Sequence, residues 1–194
     1  DSSDCQTILA GLDAHDRSKG RPAIKSFNLE EGREDLVVLA KERSAILFAN
    51  ASGRTDMPQN RDDRVRNLQQ CMQMMDACAI AMGDRFLDPL VFPIGTEPEC
   101  GNHYLDAVKA LRAEYPEAHI FGGHSNVSFG LPRRAALNQA FTLLSIAAGC
   151  DTVMIDPVMN SPRPFEDFRY ASEALTGKDE YTMRYLAYCR RGLE

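Results

Sequence analysis

The stretch GGHSNVSFGLP, residues 122–132, decides how the chain is read. It follows the apolar run Ala118-His119-Ile120-Phe121. It precedes an amphipathic pattern carrying Leu137, Phe141, Leu144 and Ala148, which Gly149 closes. The apolar run reads as a buried strand over 119–123. Pro132 is a good first-turn residue and places a helix start there. Two glycines, a histidine, a serine and an asparagine thus stand where a buried strand ends. Polar groups in such a place are costly unless paired, or unless they face a ligand.

The same strand-then-helix order recurs along the chain. Apolar strands are centred near positions 25, 47, 88, 121 and 153 (AIKSF, SAILFAN, RFLDPLVFP over 85–93, HIFGG and DTVMID). Helix patterns separate them. Leu29–Arg43 has an acidic first turn. Val65, Leu68, Met72, Met75, Ala79 and Met82 make the strongest helical stripe, and methionines at that spacing read as core packing. Leu105, Val108 and Leu111 mark a third helix, and two C-terminal helices split near Thr176-Gly177. Strands alternating with amphipathic helices mean parallel strands covered by helices, either as an open doubly wound sheet or as a (β/α)₈ TIM-type barrel. No G-x-G-x-x-G or Walker loop is present to point to a nucleotide.

Each strand finishes in polar residues: Lys25 and Asn28, Asn50, Asp88, His124 to Asn126, and Asp156. In a barrel these ends share the carboxyl rim, where barrel enzymes keep their chemistry. Asn28 and Asn50 read as caps of following helices. Asp88, inside Leu87-Asp88-Pro89-Leu90 with no helix starting next to it, reads as ligand-facing.

The chain has 194 residues with 44% apolar content, enough for one domain with a real core. Its net charge of −6 argues against nucleic acid or an anionic membrane surface as the main partner. No apolar run reaches the roughly 18 residues of a membrane span, and no signal-peptide pattern is seen. Six scattered cysteines without a C-x-x-C read as reduced thiols of a cytoplasmic protein. His15, His103 and His119 have no metal-ligand spacing with them.

GGHSNVSFGLP followed by Arg134, Asn138 and Phe141, with Phe86-Leu87-Asp88-Pro89-Leu90 upstream, resembles the pterin-binding methyltransferases. That family includes the folate module of cobalamin-dependent methionine synthase and the methyltetrahydrofolate:corrinoid methyltransferases. The opening DSSDCQTILAGL resembles the end of the family's third strand, RPAIKSFNLEEG its fourth, and SEALTGKDEYTMRYL its closing helices. The resemblance implies a (β/α)₈ barrel represented by five of its eight strands. Residues 1–194 are then one pterin-binding barrel domain lacking its N-terminal third, since a whole barrel needs about 250 residues.

The resemblance further implies a methyl transfer between N5 of tetrahydrofolate and a Co(I) corrinoid (cobalamin) carried by a partner protein. Because members of the family tend to pair their barrels, a homodimer is one arrangement it suggests. Asp1 and Asp88 would bind the pterin, because a carboxylate accepts the adjacent N–H donors of its 2-amino-pyrimidinone edge. Gly123 and Ser125 would line the site, and Gly122 and Gly123 would leave room for the flat ring. Asn126 would be catalytic: its amide can hydrogen-bond N5 and stabilise the protonated form, with the proton taken from solvent. Arg134 matches a family arginine at the folate rim, with a solvated helix face as the alternative. Lys25 stands where the family has a pterin-binding asparagine, and would pair with Asp1 or Asp88. His124, at a variable position, reads as a hydrogen-bonded strand-end histidine, with titration near neutrality as the other reading. Asp13-Ala14-His15-Asp16-Arg17-Ser18 is only superficially similar to a corrinoid-ligating motif, since Ser18 replaces its glycine. The alternatives are a folate-binding module without turnover and, further off, dihydropteroate synthase. The latter would carry a Ser-Arg-Lys cluster where this chain has Ser-Asn-Val-Ser.

Overall fold

A computed structural model describes residues 1–156, 158 and 161–191. After helix α1 (Cys5–Asp13), five strands alternate with helices. They are β1 (Ala23–Phe27), α2 (Asp35–Arg43), β2 (Ile46–Asn50), α3 (Arg61–Ala77), β3 (Arg85–Asp88), α4 (Cys100–Glu114), β4 (His119–Gly122), α5 (Arg134–Ala148) and β5 (Thr152–Val153). Helices α6 (Arg163–Leu175) and α7 (Met183–Arg191) follow. The sheet order is β1-β2-β3-β4-β5, and every neighbouring pair is parallel. The order never reverses. A doubly wound sheet needs a reversal to place helices on both faces, so the sequential order selects the barrel reading. The chain holds five consecutive βα strands of a (β/α)₈ barrel.

Period-two alternation sorts the strand residues. Ile24, Leu47, Ala49, Leu87 and Ile120 are buried under the helices. Against them pack Leu36, Val37 and Ala40 of α2, Leu68, Met72 and Met75 of α3, and Tyr104, Val108 and Leu111 of α4. Two methionines of the predicted stripe are thus core. The opposite face carries a stacked ladder. The Phe48 and Phe86 rings lie 4.4 Å apart, the Phe86 and His119 rings 4.4 Å, and Phe121 meets Phe48 edge-on at 5.2 Å.

Element ends differ from the sequence pattern for local reasons. Helix α2 starts at Asp35 rather than Leu29, because Asn28 Oδ1 accepts the Glu30 amide and Gly32 adopts φ 80°. Helix α3 is capped by Asn60, whose Oδ1 accepts the Asp63 amide at 2.9 Å. It stops at Ala77, and Ala79 at φ 50° turns the chain, so Ala79 and Met82 leave the helix. Strand β3 ends at Asp88, where Pro89 follows and Leu90 takes φ 66°. Helix α5 begins at Arg134, two residues after Pro132, and Leu144 on it is 55% exposed. Gly149, at φ 116°, terminates it. The segment expected as a strand over 151–156 pairs only at Thr152–Val153. Among the described residues, no helix is long and apolar enough to cross a membrane.

Candidate functional site

A cavity of about 380 Å³ opens at the carboxyl ends of the strands. Lys25, Ser26, Phe48, Asn50, Asp88, Leu90, Val91, Phe121, Gly123, Ser125, Asn126 and Met154 are among its lining residues. Five of the site residues expected from sequence therefore meet on one wall: Lys25, Asp88, Gly123, Ser125 and Asn126. Asp1 is not in the lining, and it touches two residues that are. Lys25 Nζ donates to Asp1 Oδ2 at 3.1 Å, and Ser26 Oγ donates to Asp1 Oδ1 at 2.6 Å. Lys25 pairs with Asp1, so the ammonium is neither buried nor unpartnered.

β1 presents Lys25 and Ser26 together because its register slips between Ile24 and Phe27, with Ser26 at φ 81°. An unbroken strand would send these neighbours to opposite faces. The buried Arg33 holds the bulge by donating from Nη1 to the carbonyls of Ser26 and Ser2. This ties the Asp1 segment to the strand end.

Asp88 and Asn50 are register partners at the ends of β3 and β2. Neither caps a helix; each bends its own loop. Asp88 Oδ1 accepts the Leu90 amide at 2.9 Å, and Asn50 Oδ1 accepts the Ser52 amide at 3.0 Å. The second oxygen of Asp88 accepts no hydrogen bond among the described residues. Burial pushes the Asp88 carboxyl up to about 6, against the Leu90 amide and the Lys25 charge, which pull it down. Beneath this loop lies the buried Arg64. Its guanidinium sits 4.9 Å over Phe92, and it donates to the carbonyls of Asn60 at 2.9 Å and Leu90 at 3.4 Å. Its Nη2 has no partner among the described residues, and burial lowers its pKa.

The signature segment forms a short 3₁₀ turn, His124–Ser128, which places Asn126 at the cavity. Its carboxamide makes no hydrogen bond among the described residues, while the residues around it are anchored. Arg134 Nη2 donates to the Ser125 carbonyl at 2.8 Å, and Nε to Ser128 Oγ at 3.0 Å. Ser128 Oγ meets Asn138 Oδ1 at 2.7 Å, and the Ile94 amide donates to the Val127 carbonyl at 3.0 Å. Arg134 is outside the cavity lining. It stacks 4.6 Å over Phe129 and braces the turn.

The two glycines divide their work. A Cβ on Gly122 would lie 2.3 Å from Tyr104 Oη and 2.7 Å from His124 Nε2, so Gly122 makes room for those side chains and not for a ligand. Gly123 lines the cavity, and a Cβ there would meet only Asn126 Nδ2, at an ordinary 3.6 Å. His124 is buried and hydrogen-bonded at both ring nitrogens, and burial lowers its pKa to about 4. The motif at residues 13–18 is local structure: Asp16 accepts the Ser18 amide, and His15 Nε2 meets the Gly20 carbonyl.

Sequence reading missed Ser26, Phe48, Phe121 and Met154 as cavity walls. Phe48 and Phe121 were findable: each lies two residues from a strand-end site residue, on the same pleat face. Ser26 was not, because only the bulge brings it round.

The model of the family described as "Pterin binding enzyme" matches residues 1–156. A methylcorrinoid:tetrahydrofolate methyltransferase from Eubacterium limosum is 35% identical over 106 residues, 55% of this chain. The matched stretch spans 38% of that relative's length. With the family model covering the strand ends that build the cavity, the chain belongs to the pterin binding enzyme family.

Proposed function

We propose that this chain is the pterin-binding part of a methyltransferase that moves a methyl group between N5 of tetrahydrofolate and a Co(I) corrinoid carried by a partner protein. The observation that supports this reading best is the meeting of Asp88 and Asn126 in one cavity, where among the described residues one Asp88 oxygen and the Asn126 carboxamide have no hydrogen-bond partner.

Asp88 accepts the paired N–H donors of the pterin edge, and Asp1 is held within reach of the same lip by Lys25 and Ser26. Phe48 and Phe121 supply apolar walls for a flat ring. In the transfer, the methyl carbon–N5 bond breaks and a carbon–cobalt bond forms with the electron pair of Co(I). The nitrogen ends neutral when it carries a proton drawn from solvent. An uncharged N5 is a poor leaving group, so donation or acceptance by the Asn126 carboxamide lowers the barrier without Asn126 itself ionising. The Eubacterium limosum relative is named for transfer between the same two carriers.

A second reading, a pterin-binding module without turnover, draws on the engagement of Asp1 by Lys25 and Ser26. Mixing the protein with methyl-tetrahydrofolate and a reduced corrinoid separates the two. Loss of the Co(I) absorbance with gain of the methylated corrinoid is the expected result. Tetrahydrofolate binding without that change would select the module. In a separate mixture with hydroxymethyl-dihydropterin pyrophosphate and p-aminobenzoate, release of pyrophosphate with formation of dihydropteroate would move the chain to the synthase branch.

A further inference from the structure

Behind the cavity wall lies a polar cluster that the transfer itself does not use. Tyr104, His124, Thr142, Ser145 and Cys150 are all buried. Tyr104 Oη lies 3.0 Å from His124 Nε2, and His124 Nδ1 lies 3.2 Å from Thr142 Oγ1. Tyr104 Oη is also 3.4 Å from the Phe121 carbonyl and 3.8 Å from Cys150 Sγ. Cys150 Sγ lies 3.2 Å from the carbonyls of Ile120 and Thr152 and 3.9 Å from His124 Nε2. The imidazole is clamped edge-to-face between the rings of Tyr104 and Phe141, at interplanar angles of 84° and 88°.

We propose that the Tyr104–His124–Thr142 chain positions Asn126, and that His124 is the residue through which helices α4 and α5 together fix the entry of the turn that presents the carboxamide. This rests on the role of Asn126 given above. His124 is two residues before Asn126 and opens the 3₁₀ turn. That turn has no side-chain cap of its own, and backbone bonds alone join Asn126 N to the Gly123 carbonyl and Phe129 N to the Asn126 carbonyl. Arg134 and Asn138 of α5 brace the later part of the turn at the Ser125 carbonyl and Ser128 Oγ, so what they leave to be pinned is its entry at His124. The ring of His124 supplies the pin, because each nitrogen meets a different helix.

Either neutral tautomer satisfies the chain. With the proton on Nδ1, the ring donates to Thr142 and accepts from the Tyr104 hydroxyl. With the proton on Nε2, it donates to Tyr104 Oη, which then donates to the Phe121 carbonyl, and Thr142 donates to Nδ1. Burial keeps the uncharged form dominant by lowering the imidazole's pKa to about 4, and among the described residues no carboxylate hydrogen-bonds the ring. Gly122 belongs to the same device, since any side chain there would displace Tyr104 Oη or the ring.

The test uses His124→Ala, His124→Gln and Tyr104→Phe, each alone and combined with Asn126→Ala. Hydrogen exchange of residues 123–129 in the ligand-free chain is one readout. Tetrahydrofolate affinity and the single-turnover methyl-transfer rate are the others. His124→Ala should speed exchange in 123–129 about tenfold, leave α2 and α3 unchanged, and slow transfer about tenfold with a smaller change in affinity. His124→Gln, which keeps a donor and an acceptor, should recover most of both. In the Asn126→Ala background the His124 changes should cost nothing more in rate. Tyr104→Phe removes one hydroxyl and keeps the ring packing, so it answers the question if His124→Ala fails to fold. Exchange rising evenly across the chain, or rate losses adding in full to that of Asn126→Ala, overturns the proposal. If the unmodified protein transfers no methyl group, the functional reading falls, and the exchange pattern still decides whether His124 holds the turn.

Discussion

The Asp88 carboxylate and the Leu90 backbone are locked to each other. Oδ1 accepts the Leu90 amide at 2.9 Å, and Leu90 sits at φ 66°, a conformation that non-glycine residues seldom adopt. With Pro89 between them, the pair forms a turn that aims the carboxylate up into the cavity and keeps its other oxygen free. Arg64, bonded to the Leu90 carbonyl from below, completes the clamp.

The raised pKa of Asp88 makes its charge a strain on the empty protein. A carboxyl lifted from 3.8 to about 6 contributes stability that is complete below about 4 and is lost as pH rises through 6. Asp88→Asn removes the charge and keeps an oxygen for the Leu90 amide. At pH 7.5 it should raise unfolding stability by about 1–3 kcal/mol, and at pH 4 by far less. The same change should weaken tetrahydrofolate binding at least tenfold. Urea unfolding at both pH values, alongside fluorescence titration, reads both effects. An unaltered affinity would take Asp88 out of ligand recognition.

Binding should itself follow that ionisation. Only the carboxylate accepts two N–H donors, so tetrahydrofolate affinity should hold above pH 7 and fall as pH drops through about 6. Burial sets most of that midpoint, and the Lys25 ammonium, paired with Asp1 but close enough to Asp88 to lower its pKa, pulls it part of the way back. Lys25→Asn should move the midpoint up by about half a pH unit. A pH series of binding isotherms on the two proteins gives the shift. Superimposable curves would show that the ammonium does not act on the pocket.

How much of this was legible in the sequence depends on how locally each feature is encoded. The strand-helix alternation and the polar strand ends were readable because period-two and 3.6-residue patterns are properties of neighbours along the chain. Asp88 and Asn126 could be singled out, one before a proline with no helix to cap, the other in a signature segment. The choice between barrel and doubly wound sheet needed the strand order, which no local pattern carries. The bulge that turns both Lys25 and Ser26 to the cavity was also invisible, because Ser26 at φ 81° is held by Arg33 and Asp1 from elsewhere in the chain. The contacts of Arg134, which the resemblance put at the folate rim with a solvated helix face as the alternative, were not local either: it bonds the Ser125 carbonyl and Ser128 Oγ.

The glycines offer a paired test of packing. Gly122→Ala places a methyl group 2.3 Å from Tyr104 Oη and against the His124 ring, both on buried, doubly bonded side chains. It should cost about 1–3 kcal/mol by overpacking and displace the His124 turn. Gly123→Ala meets nothing closer than 3.6 Å and has an ordinary φ of −84°, so its stability should change by less than about 0.5 kcal/mol. Its methyl group would instead intrude on the cavity and lower tetrahydrofolate affinity. Thermal melts of the two variants should therefore separate clearly, with the order of binding losses independent of the order of stability losses.

Asn126 is the residue on which ground-state binding and transfer should part. Its side chain is exposed, makes no hydrogen bond among the described residues, and contributes nothing to the core, so Asn126→Ala should leave the melting temperature within a few degrees of the unmodified protein. Methyl-tetrahydrofolate carries little charge on N5 before the carbon–nitrogen bond stretches, and the carboxamide gains strength only as that charge develops. Truncation should therefore reduce kcat by about 10²–10³ with KM changed only a few-fold, as for the loss of one preorganised donor at a site of developing charge. Asn126→Asp tests the same point from the other side. A carboxylate there would hold a proton on N5 in the resting complex, tightening tetrahydrofolate binding at pH 6 while slowing release of the neutral product. Stopped-flow records of the corrinoid spectrum under single-turnover conditions separate chemistry from release. A full transfer rate in Asn126→Ala would move the protonation step to another group, and Lys25, the one cation lining the cavity among the described residues, would then be the next to substitute.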